Sequence, residues 1–503
     1  MNNVEELVTD YKKILEKIRA YNEAINVMFW DLRTGAPKKA VEGRSEVIGF
    51  LSTEVYNLMT SKELERILRS LSNTECQCEL DYPTQKSLEN VRKEFNRNKK
   101  IPAEMYREYV VLISKSEAIW QEAREKSNFN ILKPYLEQIV KYNKEFTELW
   151  GYKGNRYNAL LDLYEPGMTV EQLDPLFTDL KDALIPLLKK AASSGSIYTK
   201  FLSKQYSVDK QRQFSELLLK RMSFDFNKGI LGLTAHPFQT TLNSGDIRIA
   251  TKFNEADIAT GIFSALHEGG HAQYEQNIAP ELEELLLYEG TSTAIHESQS
   301  RFWENIVGRS LEFWEFYYKE LVALFPEQLT DVPVKDFYRA INEMKPSLIR
   351  IEADELTYNF HIMLRYEIEK QLINGNLKVS DLPAYWNAKM EEYLGVTPTN
   401  DAEGVLQDVH WAEGMFGYFP TYTLGNIYAA QIYNKLKQDL PEFNDMLRLG
   451  NLIPIKAWLN KNIHQHGKLI PPNELIEKAT GESLNAKYLI EYLTQKVNNI
   501  YNV

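Results

Sequence analysis

Apolar residues recur through most of this chain at i, i+3, i+4 and i+7, a period that lays one apolar stripe along a helix and does not match the two-residue alternation of a strand. Between residues 4 and 30 the stripe is Leu7, Val8, Tyr11, Ile14, Leu15, Ile18, Tyr21, Ile25 and Met28. The same period returns over 61–71, 102–125, 131–150, 170–192, 208–222, 311–324 and 334–344, so the spacing predicts a mainly α fold. The breaks between these stretches are short. Thr34 to Pro37, Ser193 to Ser196 and Ile470 to Pro472 punctuate helices, and none is long enough to tether separate domains. With 503 residues, 44% of them apolar and 25% charged, a large core is within reach, and residues 1–503 read as a single helical domain.

One region departs from the helical rhythm. Residues 233–253 are rich in Thr, Ile and Phe and hold Asn243-Ser244-Gly245 as a turn, which predicts a β-hairpin just ahead of the most informative helix. The basic run from Arg92 to Lys100 precedes Ile101-Pro102 and reads as a solvated helix end.

The charge balance narrows the partners. Seventy acidic against 58 basic residues give a net charge of -12, the wrong sign for neutralising phosphates, so nucleic acid is excluded as a partner. No stretch approaches the roughly 18 consecutive apolar residues of a bilayer span, and no membrane partner is expected. The first ten residues carry acids where a signal peptide carries bases and then an apolar run, which points to a cytoplasmic location. Cys76 and Cys78, one residue apart, suit neither an ordinary disulfide nor a four-ligand zinc site and read as incidental thiols.

The chemistry concentrates in residues 254–276. Asn254 is the expected N-cap, and Ile258, Ile262, Phe263 and Leu266 follow at helical intervals. His267 and His271, four apart, project from one face, where both imidazoles reach a single cation. Glu268 stands on the adjoining face, placed to take a proton from an attacking water. Gly269 and Gly270 are two poor helix formers side by side, which makes sense where something approaches the backbone closely. A catalytic zinc has three protein ligands and an open position. Glu297, in the triplet His296-Glu297-Ser298, is the candidate third ligand; the alternative is a first-turn glutamate favoured by the helix dipole. Glu304, seven residues on, either orients a ligand imidazole or, as the spacing alone favours, lies at the surface.

Four segments in this order carry a resemblance: His267-Glu268-Gly269-Gly270-His271, His296-Glu297-Ser298, Ile349 to Asp354, and Gly404 to Trp411. The chain resembles the carboxypeptidase Taq family of metallocarboxypeptidases over nearly its whole length. That resemblance implies a mainly helical peptidase similar to neurolysin and angiotensin-converting enzyme, with two lobes around a deep cleft and a small sheet beside the H-E-x-x-H helix. It also implies a homodimer. It assigns His267, His271 and Glu297 as ligands and Glu268 as general base. It gives Arg350 the grip on a substrate's terminal carboxylate, although a helical pair with Asp354 is an equally good reading of the spacing. His410 and Tyr418 match the donors to the oxyanion, with Tyr422 left open as the alternative tyrosine. In the hairpin, Asp246 to Ala250 resembles a D-x-R-x-T motif with Ala250 in place of the threonine; there the resemblance gives Arg248 a part in closing the groove and limiting substrate length. His236 is a further candidate cleft residue.

Together these readings give a metal-dependent carboxypeptidase of broad specificity that releases single C-terminal residues from short peptides, using one divalent ion, zinc first and cobalt second. The same core without the carboxylate grip is an oligoendopeptidase or dipeptidyl carboxypeptidase. A helical scaffold with a vestigial site is a third reading, opposed by the intact set of His267, Glu268, His271 and Glu297.

Overall fold

A computed structural model describes residues 4–73 and 78–501; Cys76 lies outside them, and Cys78 is exposed. The predicted stripes become helices. The first, Val4–Thr34, buries Leu7, Tyr11, Ile14, Leu15, Ile18, Ile25 and Trp30. Caps set several of the other starts: the Ser61 side chain accepts from Leu64 N to open Lys62–Leu71, and a Thr169/Gln172 capping box opens Val170–Ser193. The basic run closes Tyr82–Lys99 as expected, with Lys93 and Arg97 on Asp162 and Lys100 on the carbonyl of Trp150. The stretch predicted over 334–344 ends early, at Ala340. Beyond it the backbone finds other partners, Met344 N bonding to the Tyr501 hydroxyl.

Several helices escaped the periodicity search, among them Val41–Met59, Leu382–Leu394 and Lys487–Tyr501, and so did two largely buried ones, Tyr358–Asn374 and Pro420–Asp439. Each of the last two buries residues on nearly every side, from Tyr358 through Ile373 and from Pro420 through Leu436, so neither shows a single stripe.

The predicted hairpin forms as β2 (Phe238–Asn243) and β3 (Asp246–Thr251), with Thr240 opposite Arg248. A short unpredicted strand, β1 (Leu231–Leu233), joins β3 in parallel and gives the order β1-β3-β2. Ile247 and Ile249 share an apolar cluster with Leu219, Phe224, Leu231 and Ala272, and the Thr251 hydroxyl bonds to Ser264, so this face of the sheet seats the helix that carries His267 and His271. The other face meets Trp30, whose ring fills the space a side chain at Gly232 would need.

The larger core runs from Leu112 to Tyr501, and a second core, from Leu7 to Phe95, holds the N-terminal helices together. Ser87 joins the two, accepting from the Tyr11 hydroxyl at 2.8 Å and donating to the carbonyl of Leu285 at 2.7 Å.

Candidate metal centre

The helix bearing the two histidines, Ile258–Gln276, is capped by Asp257 and not by Asn254. The Asp257 carboxylate accepts from the backbone of Ala259 and Thr260, while Asn254 turns its side chain to Ala256 N. Further along, Gly270 meets the backbone of a second helix, Thr293–Arg301: a Cβ there would lie 2.5 Å from the carbonyl oxygen of Gln299 and 2.7 Å from Cα of Ser300. This is the close approach that the paired glycines predicted. The second helix, capped by Ser292, presents Glu297 to the histidines, and Gly425 leaves room behind the Glu297 side chain.

The ligand atoms of His267, His271 and Glu297 all lie within 4.8 Å of one another. Oε2 of Glu297 stands 3.6 Å from Nε2 of His267 and 3.4 Å from Nε2 of His271. Two ligands 2.0–2.1 Å from a tetrahedral zinc stand about 3.4 Å apart, so the donors are spaced for such an ion. The donor set, two imidazoles and one carboxylate, is also the composition of a catalytic zinc site with one position left open. Glu297 is buried, whereas the two imidazoles keep 18% and 16% exposure, so the cluster opens to solvent on the imidazole side.

Electrostatics keep Glu297 and His271 in binding form. Burial opposes ionisation of Glu297, but Arg301, His267 and His271 outweigh it and hold the carboxyl far below its usual range. Burial pushes His271 down to about 3, so its ring stays neutral. Burial also works to lower His267, yet the charges of Glu297 and Glu304 win and raise it, so a proton competes for this ligand more than for the other. Glu268, buried beside the cluster, is pushed up to about 7 by burial, with His267 pulling down and Glu297 and Glu304 pushing up. That value suits a group that must take and return a proton near neutrality.

Glu304 belongs to the site and not to the surface. Its Oε2 lies 2.9 Å from Nδ1 of His267, and Arg301 contacts the same oxygen at 3.2 Å. The ligand helix continues as a π-helix over Phe302–Val307, which carries Glu304 into this position. The carbonyl of Asn305 in that segment accepts from Tyr492 and Lys496 of the C-terminal helix.

A second group of predicted residues gathers next to the first. Nε2 of His410 lies 3.3 Å from the Tyr422 hydroxyl, and its ring centroid is 5.6 Å from that of Tyr418. Burial drives His410 down to about 4, which leaves it neutral. Burial raises Tyr418 to about 12, with the charge of Glu297 as the next cause; for Tyr422 that charge is the least of the contributions. Arg350 is buried, donating from Nε and Nη2 to Oδ1 of Asp408 and from Nη1 to the Tyr358 hydroxyl. Asp354 is not its partner, because that carboxylate accepts from the backbone of Lys345, Leu356 and Thr357. Tyr358 also lies 4.5 Å under the guanidinium of Arg301, which connects this group to Glu297.

The hairpin residues stand apart. Arg248 is paired through two nitrogens with Asp246 and crosses Trp30 at 5.5 Å, on the sheet face turned from the histidine helix. His236 is exposed on the β1–β2 loop. Among the described residues neither contacts the ligand cluster.

Sequence reasoning missed Arg301, Asp408, His296 and Glu275. Arg301 had a readable signal, its i, i+4 spacing from Glu297, and Asp408 sat inside a recognised motif. Glu275 lies one helical turn beyond His271 and had the same kind of signal.

The profile of the carboxypeptidase Taq (M32) metallopeptidases matches residues 10–497. Carboxypeptidase 1 of Bacillus subtilis is 50% identical over 493 residues, covering 98% of each chain. Thermostable carboxypeptidase 1 of Thermus thermophilus is 39% identical, covering 98% of this chain and 99% of its own. The crystal structure of the M32 carboxypeptidase from Deinococcus radiodurans superimposes with a TM-score of 0.95 at 34% identity, over 98% of this chain and all of the other.

Proposed function

The chain belongs to the carboxypeptidase Taq (M32) metallopeptidase family and is a metallocarboxypeptidase; on that premise we propose that it removes single C-terminal residues from short peptides with broad specificity, using the cluster of His267, His271, Glu297 and Glu268. The observation that carries this reading is the spacing of the two Nε2 atoms around Oε2 of Glu297, with a raised carboxyl beside them.

A divalent ion held by His267, His271 and Glu297, zinc or with the same donors cobalt, supplies Lewis-acid polarisation of the scissile carbonyl and makes water acidic enough to attack. Glu268 accepts the proton of the attacking water and delivers it to the departing amine. Tyr418, with Tyr422 as the alternative, donates its hydroxyl to the carbonyl oxygen as charge grows there, and neutral His410 donates a ring N–H beside it. Arg350 receives the substrate's terminal carboxylate. Asp408 and Tyr358 take three of the five guanidinium N–H donors, which leaves one on each terminal nitrogen for a bidentate grip. Arg248, held by Asp246, and the exposed His236 bound the length of the peptide from the hairpin side.

In this proposal residues 1–503 form one domain whose two apolar cores correspond to two lobes around the cleft. The protein works in the cytoplasm as a homodimer, which light scattering tests directly. Among the described residues no helix is long and apolar enough to cross a membrane.

The deciding experiment is mass spectrometry of one peptide digest with free and amidated C-termini, with and without chelator. Stepwise loss of single residues from the free form alone, abolished by chelator, is expected. Equal cleavage of the amidated form would favour an oligoendopeptidase instead.

A further inference from the structure

The two ligand imidazoles have different partners on their outer nitrogens. Nδ1 of His267 meets a carboxylate, Glu304, directly. Nδ1 of His271 lies 2.5 Å from Nδ1 of another imidazole, His296, whose Nε2 lies 2.9 Å from Oε1 of Glu275. We propose that His296 and Glu275 are positioning residues for His271, a relay that holds this ligand in the one tautomer able to bind a cation.

The direction of each hydrogen bond follows from its ends. A nitrogen that ligates a metal offers its lone pair, so with Nε2 turned to the cluster His271 carries its proton on Nδ1. His296 then accepts on Nδ1, keeps its proton on Nε2 and donates to Glu275. The surroundings of Glu275 agree, because the amide of Gly290 donates to the same Oε1 at 2.9 Å and Thr241 of β2 bonds to Oε2 at 3.0 Å. An acceptor-only carboxylate satisfies all three.

The slot around His296 is shaped for an imidazole. Its ring is 4.6 Å from that of His271 and 5.3 Å from that of Tyr274. A Cβ at Gly290 would come within 2.6 Å of Cδ2 of His296, so the glycine leaves room for the ring. Glu275 stands on the same helix as the ligands, one turn beyond His271, and the sheet clamps it from the side. A neutral ring placed between a ligand and a carboxylate transmits orientation without setting a second anion against the first ligand's face, where Glu304 and Glu297 already stand.

The inference rests on His271 being a ligand, and its test separates the two. Full-length apoprotein is titrated with Zn2+ against a chromophoric chelator for the wild type, His271→Ala, His296→Phe, His296→Gln, Glu275→Gln and the double variant His296→Phe/Glu275→Gln. Loss of a partner of this kind weakens metal binding roughly 10–100-fold, and that loss is expected for His296→Phe and for Glu275→Gln. The double variant should bind no more than about threefold more weakly than the worse single one, because Glu275 acts only through His296. His296→Gln should recover part of the loss, since its amide oxygen accepts from His271. Wild-type affinity in His296→Phe, or losses that multiply in the double variant, would overturn the relay while leaving the ligand set standing. Wild-type affinity in His271→Ala would overturn the ligand set itself. Should the variants not fold, histidine-selective 15N NMR of the zinc-loaded wild type reads the same point: His271 protonated on Nδ1 and His296 on Nε2 are expected, and His271 protonated on Nε2 overturns it.

Discussion

Gly269 and Gly270 are adjacent on one helix, yet replacing each by Ala should give different outcomes. At Gly270 the new methyl group meets backbone of the ligand helix, 2.5 Å from the Gln299 oxygen, where contact normally begins at about 3.3 Å. Backbone in a packed helix cannot rotate aside, so the two helices must part by up to about 1 Å, at an overpacking cost of about 1–3 kcal/mol. Ala recovers about 1 kcal/mol of helix propensity, which leaves the variant about 0–2 kcal/mol less stable. The larger effect is at the site. His267 and His271 ride on one helix and Glu297 on the other, so the separations of 3.6 and 3.4 Å grow, and metal distances leave the tolerance of about 0.2 Å. At Gly269 the methyl meets Cδ2 of Leu219 at 2.6 Å and Cε of Met222 at 3.3 Å, both ends of flexible side chains. There the propensity gain roughly offsets the repacking, and stability should stay within about 1 kcal/mol. Thermal unfolding of the apoprotein and Zn2+ competition measure both quantities. Gly270→Ala is expected to bind Zn2+ at least about tenfold more weakly than Gly269→Ala. Equal affinities would refute the argument that the helix contact sets the ligand spacing.

Three further outcomes follow. Glu268→Gln should keep Zn2+ affinity within a few fold and lose about 10²–10⁴-fold in kcat; in the wild type the rate should fall as pH drops through the titration of this base, which burial raises toward about 7, and a variant with unchanged turnover would mean the base is misassigned. Arg350→Met should abolish the preference for free over amidated C-termini, read as the ratio of kcat/KM values, and an unchanged ratio would place the carboxylate grip elsewhere. Glu369 is buried, accepting from Tyr157, Trp411 and Gly417, and burial lifts it to about 7. Its folded pKa lies above its unfolded one, so its stabilising contribution is complete below about pH 4.5 and is lost as pH rises to about 7, on the order of 3 kcal/mol. Chemical denaturation at pH 5 and pH 8 should show a smaller difference in Glu369→Gln than in the wild type, and equal differences would contradict this assignment.

Local signals in the sequence were enough wherever spacing along one helix decides the geometry. Two histidines four apart must share a face, so His267 and His271 were readable as a ligand pair, and alternation around Ser244-Gly245 was readable as a hairpin. Amphipathic helices such as Lys62–Leu71 announced themselves because one side faces water. Tyr358–Asn374 and Pro420–Asp439 did not, since helices buried all round carry no stripe, and these two scaffold the Arg350 and Glu297 environments. The spacing argument also failed for Arg350, whose partner proved to be Asp408, 58 residues away, and for Glu304, which a π-helix turned inward.

The amino-acid sequence by itself determined the helical class, the hairpin, the histidine pair and its neighbouring acid, because each depends on periodicities of a few residues. Only the tertiary structure decided which carboxylates face which imidazoles, that His296 and Glu275 stand behind His271, and that Arg301 braces Glu297. Those contacts are made between helices, where separation is set by which side chains, or which missing Cβ atoms, meet at the crossing.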